Sequence, residues 1–195
     1  MRHFAILAIL GVLTGCANQA VMPIQTIQTT EVVSMSAQQN QQLIEKFYQA
    51  FKQADGETMA NSYAPDARFS DPVFSDLNGQ QAGDMWRMLT ERAQDFSLVY
   101  DGIKANEQTG EAHWVATYTF SKTGRKVVND IHSQFTFRDG KIISQRDTFD
   151  LWRWSAQALG IKGRLLGWTP LVQGKIQQQA VQALTAYQQQ KAKGK

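Results

Sequence analysis

Cysteine is almost absent from this 195-residue chain: Cys16 stands alone, so no intrachain disulfide can form and the fold must be held by its core. With that one residue near the N-terminus, neither a cysteine nucleophile nor a cysteine-ligated metal is expected. Histidine is scarce too, at three residues. A metal site needs a ligand cluster, and His113 and His132 with no evident companion do not make one, so neither metal nor cofactor is expected. The chain has no glycine-rich phosphate loop, no nucleophile elbow and no internal repeat. Its longest apolar run, Phe4 to Leu13, is too short to cross a bilayer as a helix. A net charge of only +3 argues against a nucleic-acid partner.

What is present is apolar and aromatic material: 43% hydrophobic residues, with ten Phe, five Trp and five Tyr, enough for the core of one domain. The Phe4–Leu13 run, preceded by Met1-Arg2-His3, fits the hydrophobic region of an export signal. It ends in Leu13-Thr14-Gly15-Cys16, which resembles the lipobox of bacterial lipoproteins. The resemblance implies cleavage after residue 15, a lipid on Cys16 and membrane attachment through it. Ala17 stands where an Asp would mark inner-membrane retention, so the implied address is the outer membrane, facing the periplasm. An uncleaved core helix or a plain secretory signal is the other reading of this segment. Residues 16–38, rich in Gln, Thr and Ser, read as a flexible tether.

Residues 39–152 read as one domain. Leu43, Phe47, Ala50, Phe51 and Ala54 at helical spacing predict a helix over about 39–54, followed by a short one near 57–63. Ala67 to Asp71 is a brief strand stopped by Pro72, and a helix over about 81–93 carries Met85, Trp86 and Leu89. The period then changes to two, predicting strands near 95–107, 111–121, 126–138 and 141–150 with turns at Thr109-Gly110, Thr123-Gly124 and Asp139-Gly140. Helices followed by antiparallel strands give an α+β fold. Residues 153–195 form a helical extension: the helix Leu151 to Leu159 runs into it, an apolar turn spans 160–169 and a second helix covers about 170–190. After Asp150 there is no acidic residue, but Arg153, Lys162, Arg164, Lys175, Lys191, Lys193 and Lys195 are all basic. Such a segment either lies on anionic lipid or covers the domain as a solvated, Gln-rich helix.

The order helix, helix, Ser-Asp-Pro-Val strand, helix, four strands resembles the nuclear-transport-factor-two-like superfamily, and Trp152-Arg153-Trp154 through Gly167-Trp168-Thr169-Pro170 resembles its SnoaL-like members. The resemblance implies a cone-shaped, curved antiparallel sheet with helices on its concave face. Phe69-Ser70-Asp71-Pro72-Val73 is similar to the segment that carries the general base of ketosteroid isomerases, which nominates Asp71. In the same register Phe47 stands at that family's oxyanion-hole Tyr and Ser133 at its Asp. Arg146-Asp147-Thr148-Phe149-Asp150 is similar to a catalytic segment of limonene-epoxide hydrolases, which nominates Asp147.

Alternation along the strands points to the same pocket without the resemblance. Trp114, Ala116, Tyr118 and Phe120 share one face. So do Asn129, Ile131, Ser133 and Phe135, then Ile143, Gln145, Asp147 and Phe149. Asp71 and Asp147 would be carboxylates in an aromatic-lined cavity, with Phe47 in its wall and Trp86 over the mouth. Their alternative roles are a turn cap for Asp71 and a salt bridge with Arg138, Arg146 or Arg153 for Asp147; Asp150 reads as a helix N-cap. His113 and His132 fall on the convex side, a dimer surface in this superfamily, which is compatible with a homodimer. Three functions fit: cofactor-free isomerisation, hydrolysis or dehydration of an apolar small molecule, non-catalytic binding of a ligand or partner by an envelope lipoprotein, or a scaffold on a membrane surface.

Overall fold

In the computed structural model, which describes residues 36–193, helix α1 (Ala37–Lys52) opens with a capping box: Ser36 accepts from the Gln39 amide and Gln39 reaches back to the Ser36 N–H. The proposed signal peptide (1–15), the lipidation residue Cys16 and most of the tether (16–38) lie outside the described residues. The buried residues of α1 are Asn40, Ile44, Phe47, Tyr48, Ala50 and Phe51. Their stripe is rotated from the expected one, so Leu43 is only half-buried and Tyr48 points inward. Asp55, whose carboxylate accepts from the Thr58 amide at 2.9 Å, caps α2 (Gly56–Ala60). After β1 (Tyr63–Ser70) and the two-residue β2 (Leu77–Asn78), α3 (Gly79–Arg92) starts at a second capping box, Asn78 with Gln81.

Strands β3 (Ser97–Ala105), β4 (Thr109–Phe120), β5 (Arg125–Arg138) and β6 (Lys141–Thr148) form an antiparallel meander. Asp139 and Gly140 both have positive φ, 50° and 73°, as the tight two-residue hairpin between β5 and β6 requires. The turn expected at Thr109-Gly110 lies earlier, at residues 106–108. There the Asn106 carboxamide oxygen accepts from the amides of Gln108 and Thr109, and Thr109-Gly110 is already strand.

The sheet has six strands in the order β2-β1-β6-β5-β4-β3, and it is mixed rather than wholly antiparallel: β1 runs parallel to β6. The chain leaves β1, crosses through α3 to the far edge and meanders back, so β1 and β6 meet pointing the same way. Helices α1 and α3 pack against one face, where Ile44, Phe47, Phe51, Met85 and Trp86 meet Trp114, Ile131 and Phe135 in the core.

Beyond the end of β6, α4 (Leu151–Leu159) takes the place of a further strand beside β5. The Gln157 carboxamide accepts from the Val128 amide at 2.9 Å and donates to its carbonyl at 3.0 Å. Asp150 caps this helix as expected. Residues expected to form an apolar turn instead contain a helix, α5 (Ile161–Leu166), and α6 (Pro170–Lys193) follows. Helix α6 is fastened to α3: Tyr187 donates to Glu91 at 2.6 Å and Gln188 to Asp84 at 2.9 Å. The described residues lie in one compact unit, which holds the hydrophobic core.

Candidate functional site

Parallel pairing of β1 with β6 builds the site. The register runs Phe69↔Gln145 and Ser70↔Arg146, so the next residues along the two strands are Asp71 and Asp147. Alternation puts Phe69 and Gln145, both 1% exposed, on the inner face, and two residues on the carboxylates follow them inward. Both line a cavity of about 750 Å³. Trp114, Ala116, Tyr118 and Phe120 of β4, Asn129 and Ile131 of β5 and Phe149 form its sheet side, with Trp86 and Met88 of α3 opposite.

Asp147 is 3% exposed and has no cationic partner among the described residues. Arg138, one of its expected salt-bridge partners, pairs instead with Asp66. Its carboxylate accepts from Ser133 Oγ at 2.6 Å and from Gln145 Nε2 at 2.9 Å. Behind these lies a buried polar chain. Tyr48 and Trp114 both donate to Ser133 Oγ, at 2.9 and 2.8 Å; Trp86 donates to the Tyr63 hydroxyl at 2.8 Å, and Tyr63 donates to Gln145. Burial pushes the Asp147 carboxyl up to about 7 against the pull of the Ser133 and Gln145 hydrogen bonds, with the Asp71 charge adding to the rise.

Asp71 combines both roles the sequence offers. Its Oδ1 accepts from the amides of Val73, at 2.7 Å, and Phe74, capping the turn after β1, while the carboxyl also lines the cavity. Burial pushes it up to about 6, opposed by those two amide bonds.

Two expected lining residues are not in the wall. Phe47, fully buried, packs against Tyr48, Tyr63, Trp86 and Phe135 behind it, because the inward face of α1 at this level belongs to the core. Ser133 lies beneath Asp147 as its donor, not against the cavity. Trp86 is 2% exposed and forms deep wall rather than a cover for the mouth. Sequence reasoning passed over Tyr48 and Tyr63. Tyr48 lies four residues from Ile44 on the true α1 stripe, a usable signal, whereas Pro65 hid the start of β1 and with it Tyr63.

Two polar side chains face the cavity with capacity to spare. Tyr118 accepts from Trp154 Nε1 at 2.7 Å, which leaves its O–H free to donate. Asn129 lines the cavity, and its carboxamide makes no hydrogen bond to a described residue. The roof comes from the extension: Trp154, Leu159, Leu166, Val172, Ile176 and Ala180 close it from above. Every other charged lining group, Arg92, Lys122, Lys162 and Lys175, is basic and exposed.

On the opposite face of the sheet, His113 and His132 sit directly across β4 and β5 from each other, with rings 4.7 Å apart. His113 Nδ1 lies 2.9 Å from Asp101 and Nε2 2.9 Å from Asp130; the two carboxylates raise its pKa. The histidines therefore do have companions, which cross-strand register supplied and chain position hid. His113, Asp130 and His132 bring one ligand atom each within 4.8 Å of one another, a donor set suited to a divalent ion.

The model of the SnoaL-like domain family matches residues 44–145. The chain belongs to that family. This SnoaL-like domain shares its fold with an LEH-like epoxide hydrolase from M. tuberculosis: 19% identity, 66% of this chain, 94% of that one, TM-score 0.54. It also resembles a protein of ketosteroid isomerase-like fold from Catenulispora acidiphila (15% identity, 66% and 97% covered, TM-score 0.54). A third likeness is to a nuclear-transport-factor-two-like protein from Burkholderia xenovorans (20% identity, 64% and 98% covered, TM-score 0.53). No curated protein matches the chain. The roof residues, Trp154 to Ala180, lie outside the matched residues 44–145.

Proposed function

We propose that this SnoaL-like domain binds an apolar small molecule in the cavity and carries out cofactor-free acid–base chemistry on it, of the isomerase, hydrolase or dehydratase type. The observation that carries the reading is the pair of carboxyls in one apolar cavity: half-buried Asp71, just past the end of β1 and pushed up to about 6, and buried Asp147 on the adjacent β6, pushed up to about 7. Groups with such values exchange protons near neutrality, where ordinary carboxylates are fully ionised.

The roles follow from the surroundings. Asp71, held by two backbone amides, is the more readily ionised group and acts as base, taking a proton from a carbon acid or from a water. Asp147, kept protonated by burial, returns a proton to the substrate; Ser133 and Gln145 fix its orientation. Tyr118 and Asn129 are the free polar groups available to a substrate oxygen. With Asp71 at about 6 and Asp147 at about 7, the working form, Asp71 ionised and Asp147 protonated, is most populated between about pH 6 and 7.

The test is turnover of three probes, an apolar epoxide, a β,γ-unsaturated ketone and a β-hydroxy thioester, across pH. The expected result is a bell-shaped profile centred between about pH 6 and 7 for one of them, with Asp71→Asn and Asp147→Asn each lowering kcat at least about a hundredfold while ligand affinity holds. A flat profile, or equal loss of binding in both variants, sinks the catalytic reading. It would leave a binding role, which the fully satisfied hydrogen bonds of Ser133 favour because they offer a substrate no donor.

The same proposal places the domain in the cell envelope, tethered by lipid on Cys16 and facing the periplasm. Mass spectrometry of the mature chain should find residues 1–15 removed and a lipid on Cys16; an unmodified thiol would refute the anchor.

A further inference from the structure

A surface helix ordinarily buries its large apolar residues and leaves small or polar ones to water. Helix α5 does the reverse. Its buried contacts are glycines: a Cβ on Gly163 would lie 1.9 Å from the Ser155 carbonyl oxygen, and one on Gly167, just after the helix, 1.8 Å from Ser155 Oγ. Turned outward are Ile161, Leu165, Leu166, Trp168 and Leu171, exposed by 78, 64, 53, 60 and 69%. Lys162, Arg164 and Lys175 stand among them, all exposed. Trp152, 47% exposed, borders the same corner through an indole bond to the Arg164 carbonyl.

Such a corner matches a surface that is apolar beneath and negatively charged on top. Leucine and isoleucine enter the acyl boundary, tryptophan sits at headgroup level and lysine and arginine meet lipid phosphates. A symmetric contact between two copies would set Lys162, Arg164 and Lys175 against their own equivalents, and no acidic residue follows Asp150 to relieve them. Among the described residues no helix is long and apolar enough to cross a membrane.

We infer that the corner formed by α5 and the start of α6 docks on an anionic bilayer. Lys162, Leu166, Val172, Lys175 and Ile176 belong to this corner and also line the cavity, so docking sets the cavity's roof against lipid. The docking stands on the exposed corner alone; that the cavity draws its apolar ligand from the membrane rests on the function proposed above.

The test uses residues 36–195, free of any anchor, with vesicles of phosphatidylethanolamine and phosphatidylglycerol. Co-sedimentation is expected, weakened about tenfold or more on pure phosphatidylcholine or in high salt. Trp168 emission should shift to the blue, a change lost in Trp168→Phe. The double variant Ile161→Gln/Leu165→Gln, which touches neither the core nor the cavity lining, should lose binding about tenfold or more. No binding, or equal binding by the double variant, overturns the inference. So does a concentration-dependent dimer that the double variant abolishes, which would make the corner an interface between copies. Asp147→Asn should bind vesicles normally and the double variant should keep turnover of soluble probes, so failure of docking and failure of the acid–base site are read separately.

Discussion

The floor of the cavity and its roof break the usual partition of residues in opposite directions. At the floor, polar groups are buried: Asp147, Ser133 and Gln145 are 3%, 1% and 1% exposed, enclosed by aromatic rings. At the α5–α6 corner, large apolar side chains stand in water. Each arrangement costs stability, but by a different route. A buried carboxyl is tolerated by staying protonated and fully hydrogen-bonded, whereas an exposed leucine is tolerated because its surroundings are already solvated and nothing more is lost. The floor is held within the sheet and its core, whereas at the roof α5 rests on two glycine contacts and α6 on its hydrogen bonds to α3.

The largest effect should come from the floor. Its carboxyl is raised in the folded state, to about 7 against about 3.9 unfolded, so the unfolded chain releases its proton first and stability falls as pH rises between those values. Asp147→Asn removes this loss. Urea unfolding should therefore show the variant gaining on the parent from pH 4 to pH 8 by up to about 4 kcal/mol; a constant difference would mean that Asp147 is not raised. At the roof, Gly163→Ala puts a methyl into the Ser155 carbonyl. A loss of about 1–3 kcal/mol is expected, and amide exchange should quicken in α5 and α6 while the sheet keeps its protection; uniform quickening would show that roof and floor form one cooperative unit.

Tyr63→Phe strands the Trp86 indole N–H and one Gln145 contact, at about 1–2 kcal/mol, and the freed Gln145 should alter the pH profile. An unaltered profile would reduce Tyr63 to packing. Smallest of all, Ile161→Gln/Leu165→Gln should leave stability within about 0.5 kcal/mol of the parent. A larger loss would mean that the corner supports the fold and would erase the contrast drawn here.

How much of this was legible follows the same division. The inward sets on β4 and β5, and Gln145 and Asp147 on β6 with Phe149 just after it, came from alternation, because a strand has only two faces and aromatic residues choose one; at the start of β6 a register shift buries Ile142 and leaves the expected Ile143 half-buried. The Asp139-Gly140 hairpin was legible because few residues accept its backbone. The parallel pairing of β1 was not, since a register between distant strands leaves no local pattern, and Pro65 masked half of that strand. The roof was legible in part: a Gln-rich helix over about 170–190 with Ile176, Ala180, Leu184 and Tyr187 on one stripe was expected, but its docking on α3 and the helix α5 before it were not, because glutamines around most of α6 name no partner. The His113–Asp130–His132 cluster was hidden for the same reason as the β1–β6 register: its members meet only across strands.

The parallel β1–β6 pairing also orders events in time. Hairpins of the meander join near neighbours and close quickly, while β1 must wait for β6 to be made and then bridge most of the domain, a contact with a high loop-closure cost. Asp71 and Asp147 meet only at that step. A chain that had collapsed but not yet docked β1 would hold both residues without an acid–base pair, so any activity should appear with the slowest folding phase and never before it.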